Sequence, residues 1–194
     1  MSIRRVQHAD LKKRLDTLAN SLLPPDDALG NYTDAQRDQI HAYIVLVHAE
    51  IEEYLESLAR YVTELARRGS KPSQCAPLIS RLIIHKCASR NETPEPITKE
   101  AIDGAVTYGE TILKRNNGIK ADNLFKMFMP LGLIHDDFDT LLLEELNAFG
   151  QLRGGIAHTA ARLRNGTSPS MERKRVESIL DGISHLSEKV RMLK

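Results

Sequence analysis

The chain has 194 residues, enough for one domain with a sizeable core. Its 27 Lys and Arg are balanced by 26 Asp and Glu, so a polyanion would have to be met by a local patch and not by an overall field. Trp is absent and aromatic residues make up 5%, which is thin for a module that stacks many single-stranded bases.

Helix signals recur along the whole length, and strand alternation is nearly absent. Residues 3 to 22 predict a first amphipathic helix, with Val6, Leu11, Leu15, Leu18 and Leu22 inward and Pro24-Pro25 as its stop. Thr33-Asp34-Ala35-Gln36 reads as a capping box. From there Ile40, Tyr43, Ile44, Val47, Ile51, Tyr54, Leu55, Leu58, Val62 and Leu65 hold a helical stripe as far as Gly69, with Arg37, Glu53, Glu56, Arg60, Glu64 and Arg67 on the opposite face. This long helix is the expected scaffold.

The next stretch is less regular and predicts a helix over about 74 to 88 between two Pro-containing connections. Thr98 is an expected N-cap for a helix over 99 to about 115 with Ile102, Val106, Ile112 and Leu113 inward, and Asn116-Asn117-Gly118 is a turn. A short helix over ADNLFKMFMPL ends before Gly132. Residues 136 to 163 predict helix interrupted at Gly154-Gly155. Ser168-Pro169 starts a last helix that runs to the end with Val176, Ile179, Leu180, Ile183, Leu186, Val190 and Leu193 inward. The expected fold class is an all-α, single-domain helical bundle over 1–194, with its core over about 34–193 and an added N-terminal helix over 3–22.

Cys75 and Cys87 are not in a metal or redox spacing and read as reduced thiols. MSIRRVQHADLKKRL is charged from the start, which predicts no secretory leader, and no apolar run approaches the ~20 residues of a membrane span. A cytoplasmic protein without membrane contact is expected.

The chemistry-bearing stretch is GQLRGGIAHTAARLR. Arg153 and His158 are five apart, which on an unbroken helix means ~7.5 Å of rise and ~140° of rotation. The Gly pair would relax this, because each Gly weakens a helix by ~1 kcal/mol relative to Ala. A helix restarting near Ile156 would let Arg153 swing over His158, and Arg162 follows His158 on the same face. An imidazole beside guanidiniums suits a phosphodiester: Arg pairs with phosphate oxygens, and His exchanges a proton near neutral pH. RNA supplies its own nucleophile in the 2′-OH, so no metal is required.

RGGIAH resembles the R-x4-H motif of HEPN domains. The context is similar as well. HAYIVLVHAEIEEYLESLARYV is similar to the second helix of the RiboL-PSP-HEPN and related groups. NNGIKADNLFKMFMPLGL, a polar helix and FGQLRGGIAHTAAR resemble their run into the motif, over roughly residues 35 to 165. The resemblance implies a metal-independent endoribonuclease without cofactor, acting on single-stranded RNA or tRNA as a toxin or defence effector. It also implies a homodimer in which Arg153 and His158 of both subunits line one cleft, with an antitoxin or other regulatory partner. Arg153 and His158 are then the catalytic pair, with Arg162 and Arg164 as RNA contacts.

Many members carry a polar residue directly after the Arg, where this chain has Gly154. The alternative is therefore a non-catalytic RNA-binding or protein-interaction module. His48 and Glu52, one turn apart on the long helix beside its apolar stripe, are candidate supports that orient Arg153 across the bundle. His135, Asp136, Asp137 and Asp139 have the look of metal ligands, but they stand where a helix should begin and are expected as helix-start acids, so no metal is assigned. Arg173-Lys174-Arg175 is a short basic run, either an RNA backbone contact or a solvated face.

Overall fold

The computed structural model describes residues 7–94, 96–158 and 168–193, and gives the backbone alone for Ala157 and His158. Among the described residues there are seven α-helices and no strand: α1 (His8–Leu22), α2 (Asp34–Gly69), α3 (Pro77–Arg90), α4 (Lys99–Lys114), α5 (Ala121–Phe128), α6 (Thr140–His158) and α7 (Pro169–Arg191). Two single turns of 3-10 helix, Met129–Leu131 and His135–Asp137, join α5 to α6. No described helix is long and apolar enough to cross a membrane.

The 36-residue α2 is the axis of the bundle and touches every other α-helix. Its start is the expected capping box: the Gln36 N–H donates to Thr33 Oγ1 at 3.2 Å and the Thr33 N–H donates to Gln36 Oε1 at 2.9 Å. Its inward stripe is complete, with Ile44, Val47, Ile51, Leu55, Leu58 and Val62 buried. Leu11, Leu15 and Leu18 seat α1 on α2.

The last helix closes the bundle from the other side. Ile179, Ile183 and Val190 are buried, and a buried hydrogen bond ties α7 to α2. Ser187 donates to the Ile183 carbonyl at 2.7 Å, so the Tyr54 hydroxyl 3.0 Å away is the donor of that pair. Between α6 and α7 the backbones come close. A Cβ on Gly182 would lie 2.8 Å from the Leu142 Cβ, so only glycine fits there.

Element limits follow local chemistry. The third helix starts at Pro77, later than the expected 74, because Pro suits a first helical turn, and it ends on Asn91 in the left-handed region with φ of 54°. The HDDFD acids act as turn and cap groups. Asp137 accepts the Ile134 N–H at 2.9 Å and lies 3.6 Å from Lys189 Nζ, and Asp139 accepts the Leu142 N–H at 2.9 Å at the head of α6.

One expectation is overturned. The predicted interruption at Gly154-Gly155 does not occur, and α6 runs unbroken through both glycines to His158. Glycine keeps its N–H and C=O, so the hydrogen-bond ladder survives. The propensity loss of ~1 kcal/mol per Gly is outweighed by the buried anchors Leu142, Leu146 and Phe149. The predicted continuation to 163 lies outside the described residues.

Neither glycine packs on the rest of the chain: a Cβ at 154 or 155 meets no described atom within 4 Å. Gly155→Ala should therefore raise thermal stability by ~1 kcal/mol, or ~2–4 °C, in a thermal melt. A lower melting temperature would show that something packs on this position.

Candidate functional site

The buried stripe of α2 holds two polar side chains, His48 and Thr63, of which only His48 can titrate. His48 is 4% exposed among aliphatic neighbours, one turn before Glu52. Burial pushes its pKa from 6.5 down to about 4, and the charge of Arg153 on α6 adds to the effect. His48 is thus a neutral imidazole at pH 7. A neutral ring can accept a hydrogen bond from a guanidinium, whereas a charged one would repel it.

This shift fixes a pH dependence. The unfolded chain takes up the His48 proton near pH 6.5 and the folded chain only near 4. The unfolded state therefore binds more protons between these limits, and stability falls as pH drops through that window, by up to ~3 kcal/mol. Melting temperatures at about pH 7 and pH 4.5 should show this loss, and His48→Gln should flatten it. An equal slope in the variant would contradict the assignment.

Glu52 lies 3.7 Å from His48 Nδ1 through one carboxylate oxygen. Its other oxygen accepts the Gly118 N–H and the Asn116 side-chain amide. Asn116 Nδ2 also donates to Glu56 Oε1 at 3.0 Å and to the Gly118 carbonyl at 3.1 Å, while its Oδ1 accepts from Asn123 Nδ2 at 3.0 Å. Gly118 has φ of 127°, a conformation that favours glycine. The Asn116-Asn117-Gly118 turn is thus held to α2 by two carboxylates on successive helical turns.

The sixth helix holds the same turn from the other side. Asn147 Oδ1 accepts the Ala121 N–H at 3.0 Å, which supplies the missing cap of α5. The Lys120 stem lies over Gly150, where a Cβ would come within 2.8 Å of Lys120 Cγ. Arg153 follows one turn later and is half-buried. The structure therefore brings together Arg153, His48 and Glu52, and adds Asn116, Gly118 and Asn147, which residue spacing did not single out. The NNG turn was legible as a turn; its attachment to α2, across 66 residues of sequence, was not.

His158 is the last residue of α6, five positions beyond Arg153 on one continuous helix. Position 158 therefore sits ~7.5 Å further along the axis and ~140° around it. Arg162 and Arg164 lie outside the described residues. The ERKR run is divided by the fold. Arg173 donates to Asn20 Oδ1 on α1 at 3.0 Å, and Arg175 turns inward to Glu172 with N–O distances of 2.9 and 3.0 Å.

A family model described as RiboL-PSP-HEPN matches residues 9–191. No curated protein and no solved structure matches the chain.

Proposed function

We propose that this chain, which belongs to the RiboL-PSP-HEPN family, is a metal-independent endoribonuclease acting as a two-fold dimer on single-stranded RNA or tRNA. The observation that carries the reading is the placement of Arg153: half-buried on α6, with its charge felt at the buried, neutral His48 of α2. A half-buried guanidinium near a neutral ring is suited to hold a phosphodiester bidentately.

In the proposed reaction the His158 imidazole takes the proton from a ribose 2′-OH. The 2′-oxygen attacks the adjacent phosphorus, the bond to the 5′-oxygen breaks, and the leaving oxygen takes a proton from the imidazolium of the partner's His158. The products are a 2′,3′-cyclic phosphate and a 5′-OH end. Arg153 stabilises the extra negative charge on the phosphorane. Because positions 153 and 158 point ~140° apart on one straight helix, a second copy is the simplest way to put an Arg and a His on the same phosphate. Arg162 and Arg164 would hold flanking phosphates. His48 and Glu52 would serve as positioning residues, the first beneath Arg153 and the second through the 116–118 turn.

Purified protein incubated with total RNA in EDTA, beside His158→Ala, tests the reading. Cleavage by the unaltered chain alone is expected. Equal cleavage by both, or none by either, contradicts it. A toxin or defence role predicts growth arrest on expression, relieved by a regulatory partner.

Gly154 favours a second reading. It places no polar group beside Arg153, and a non-catalytic RNA-binding or interaction module would have no need of one. RNA retention without cleavage, unaffected by His158→Ala, is the result that reading expects.

A further inference from the structure

We infer that the α3–α4–α5 face is a second RNA-strand site, separate from the Arg153 region and charged to grip the backbone of the RNA cut there. The inference takes the identity of the ligand from the ribonuclease reading, and its residues from two adjoining open clefts. The larger, of about 800 Å³, is lined by Tyr108, Arg115, Asn117, Asn123, Phe125 and Lys126 among others. The other, of about 530 Å³, shares Tyr108 and Arg115 and adds Lys86, Arg90, Thr107 and Thr111.

The charge pattern sets this face apart. On the α2 surface, by contrast, Arg60 and Arg67 stand among acids. Arg60 has Glu53, Glu56 and Glu110 within 4.0 Å, and Arg67 has Glu64 and Asp103. No Asp or Glu lines either cleft among the described residues. Of the four cations there, Arg90 alone has a described ion pair, with Glu92 at 4.0 Å. In a chain of net charge +1 these four cations make a local positive track, strongest at Arg115 and Lys126, since Lys86 also borders a neighbouring cleft lined by Glu92 and Glu100.

The remaining chemistry suits nucleotides. Tyr108 is half-buried, and its hydroxyl is 2.9 Å from His85 Nδ1. Phe125 is held edge-on by His135 and Phe138, with ring centroids 4.6 and 5.0 Å away. These two fixed rings can each take a base face, the Asn117 and Asn123 amides can meet base edges, and the hydroxyls of Thr107 and Thr111 can meet phosphate or ribose. Two grooves running into each other suit a strand better than a single nucleotide. The track also leads to the proposed scissile region: Asn116 lines the larger cleft and binds Glu52, one turn along α2 from His48, which feels the Arg153 charge.

The test uses the full chain with His158→Ala, so that RNA is bound and not cut, and a labelled single-stranded RNA of about 15 nucleotides. Arg115→Gln with Lys126→Gln, and Lys86→Gln with Arg90→Gln, are compared with Lys12→Gln with Lys13→Gln on α1 as a charge control, all with unchanged circular dichroism. Each cleft pair should weaken binding about tenfold and lower the slope of log affinity against log salt by ~1.4, at ~0.7 per lost phosphate contact. The α1 pair should change little. In the cleaving chain the same cleft variants should raise KM for the long RNA and leave a dinucleotide substrate unaffected.

Unchanged binding in the cleft variants, an equal loss in the α1 control, or competition by polyglutamate or by a mononucleotide as strong as by RNA would each overturn the inference. If the chain cuts RNA and the cleft variants bind normally, the inference falls and the ribonuclease reading stands. If RNA binds through the cleft and is never cut, the ribonuclease reading falls and the inference stands.

Discussion

If the proposed reaction holds, replacing His158 with Ala should lower the rate of RNA cleavage by ~10²–10⁴-fold, the usual contribution of a positioned proton-transfer group. Arg153→Ala costs ~10²–10³-fold, the scale seen when one donor to a developing oxyanion is removed. Arg153→Lys restores only part of it, because an ammonium keeps the charge and loses the two-pronged contact with phosphate oxygens. The two losses separate in their pH dependence. The unaltered chain should show a bell-shaped rate profile, with one imidazole needed neutral and one needed protonated. Arg153→Ala should keep the bell at a lower height, whereas His158→Ala should abolish it. Cleavage assays on a defined single-stranded RNA across pH measure both. Retention of the bell in His158→Ala would place the proton transfer elsewhere.

The largest expected effect on stability lies away from the motif, at the junction of α6 and α7. Glu172 is fully buried in the first turn of α7, and burial raises its pKa while Arg175 opposes that rise. Arg175 binds both carboxylate oxygens and also reaches Glu145 of α6 at 3.5 Å. Arg175→Ala removes the partner and leaves a buried carboxylate beside a second acid. Breaking such a pair costs ~3–5 kcal/mol, or ~10 °C in melting temperature for a chain of this size.

The sign with pH follows from the raised pKa. A buried acid whose folded pKa lies above its unfolded value stabilises the fold below that pKa and loses the contribution as pH rises through it. Loss of Arg175 raises the pKa further, so the gap between variant and unaltered chain should narrow on acidification. Glu172→Leu with Arg175→Met together should recover most of the lost stability, since a buried pair is costly mainly when half of it remains. Thermal melts of the three chains decide this. A loss below 1 kcal/mol in Arg175→Ala would mean that the carboxylate finds water or another donor.

Much of the fold was legible because its signals are local. The Thr33-to-Gln36 capping box, the stripe from Ile40 to Val62 and Ser168-Pro169 each depend on a few neighbouring residues, and each appears where the spacing puts it. What depended on distant parts of the chain was not legible. The Gly154-Gly155 pair reads as a break by propensity alone, but three buried anchors earlier in α6 outweigh it. ERKR reads as a basic patch until α6 buries Glu172 and turns Arg175 inward.

At the candidate site, the spacing that paired His48 with Glu52 on α2 is matched by their 3.7 Å separation, and the charge of Arg153 reaches His48. The pull of Glu52 on the 116–118 turn was not legible, because that turn has no sequence relation to α2. The straightness of α6 also changes what the motif must do. With no break to fold Arg153 back over His158, the proposed reaction assigns the pairing to a second subunit.

That pairing is open to one direct measurement. Arg153→Ala and His158→Ala chains, each impaired as a homodimer, are mixed, allowed to exchange subunits, and assayed on single-stranded RNA in EDTA, with heterodimer formation followed by native mass spectrometry. The heterodimer combines one Arg153 with one His158 in the shared groove, so its cleavage should rise above that of both parents in proportion to heterodimer present, and stay below the unaltered dimer, which has both imidazoles. Heterodimers no more active than either parent would contradict a shared groove.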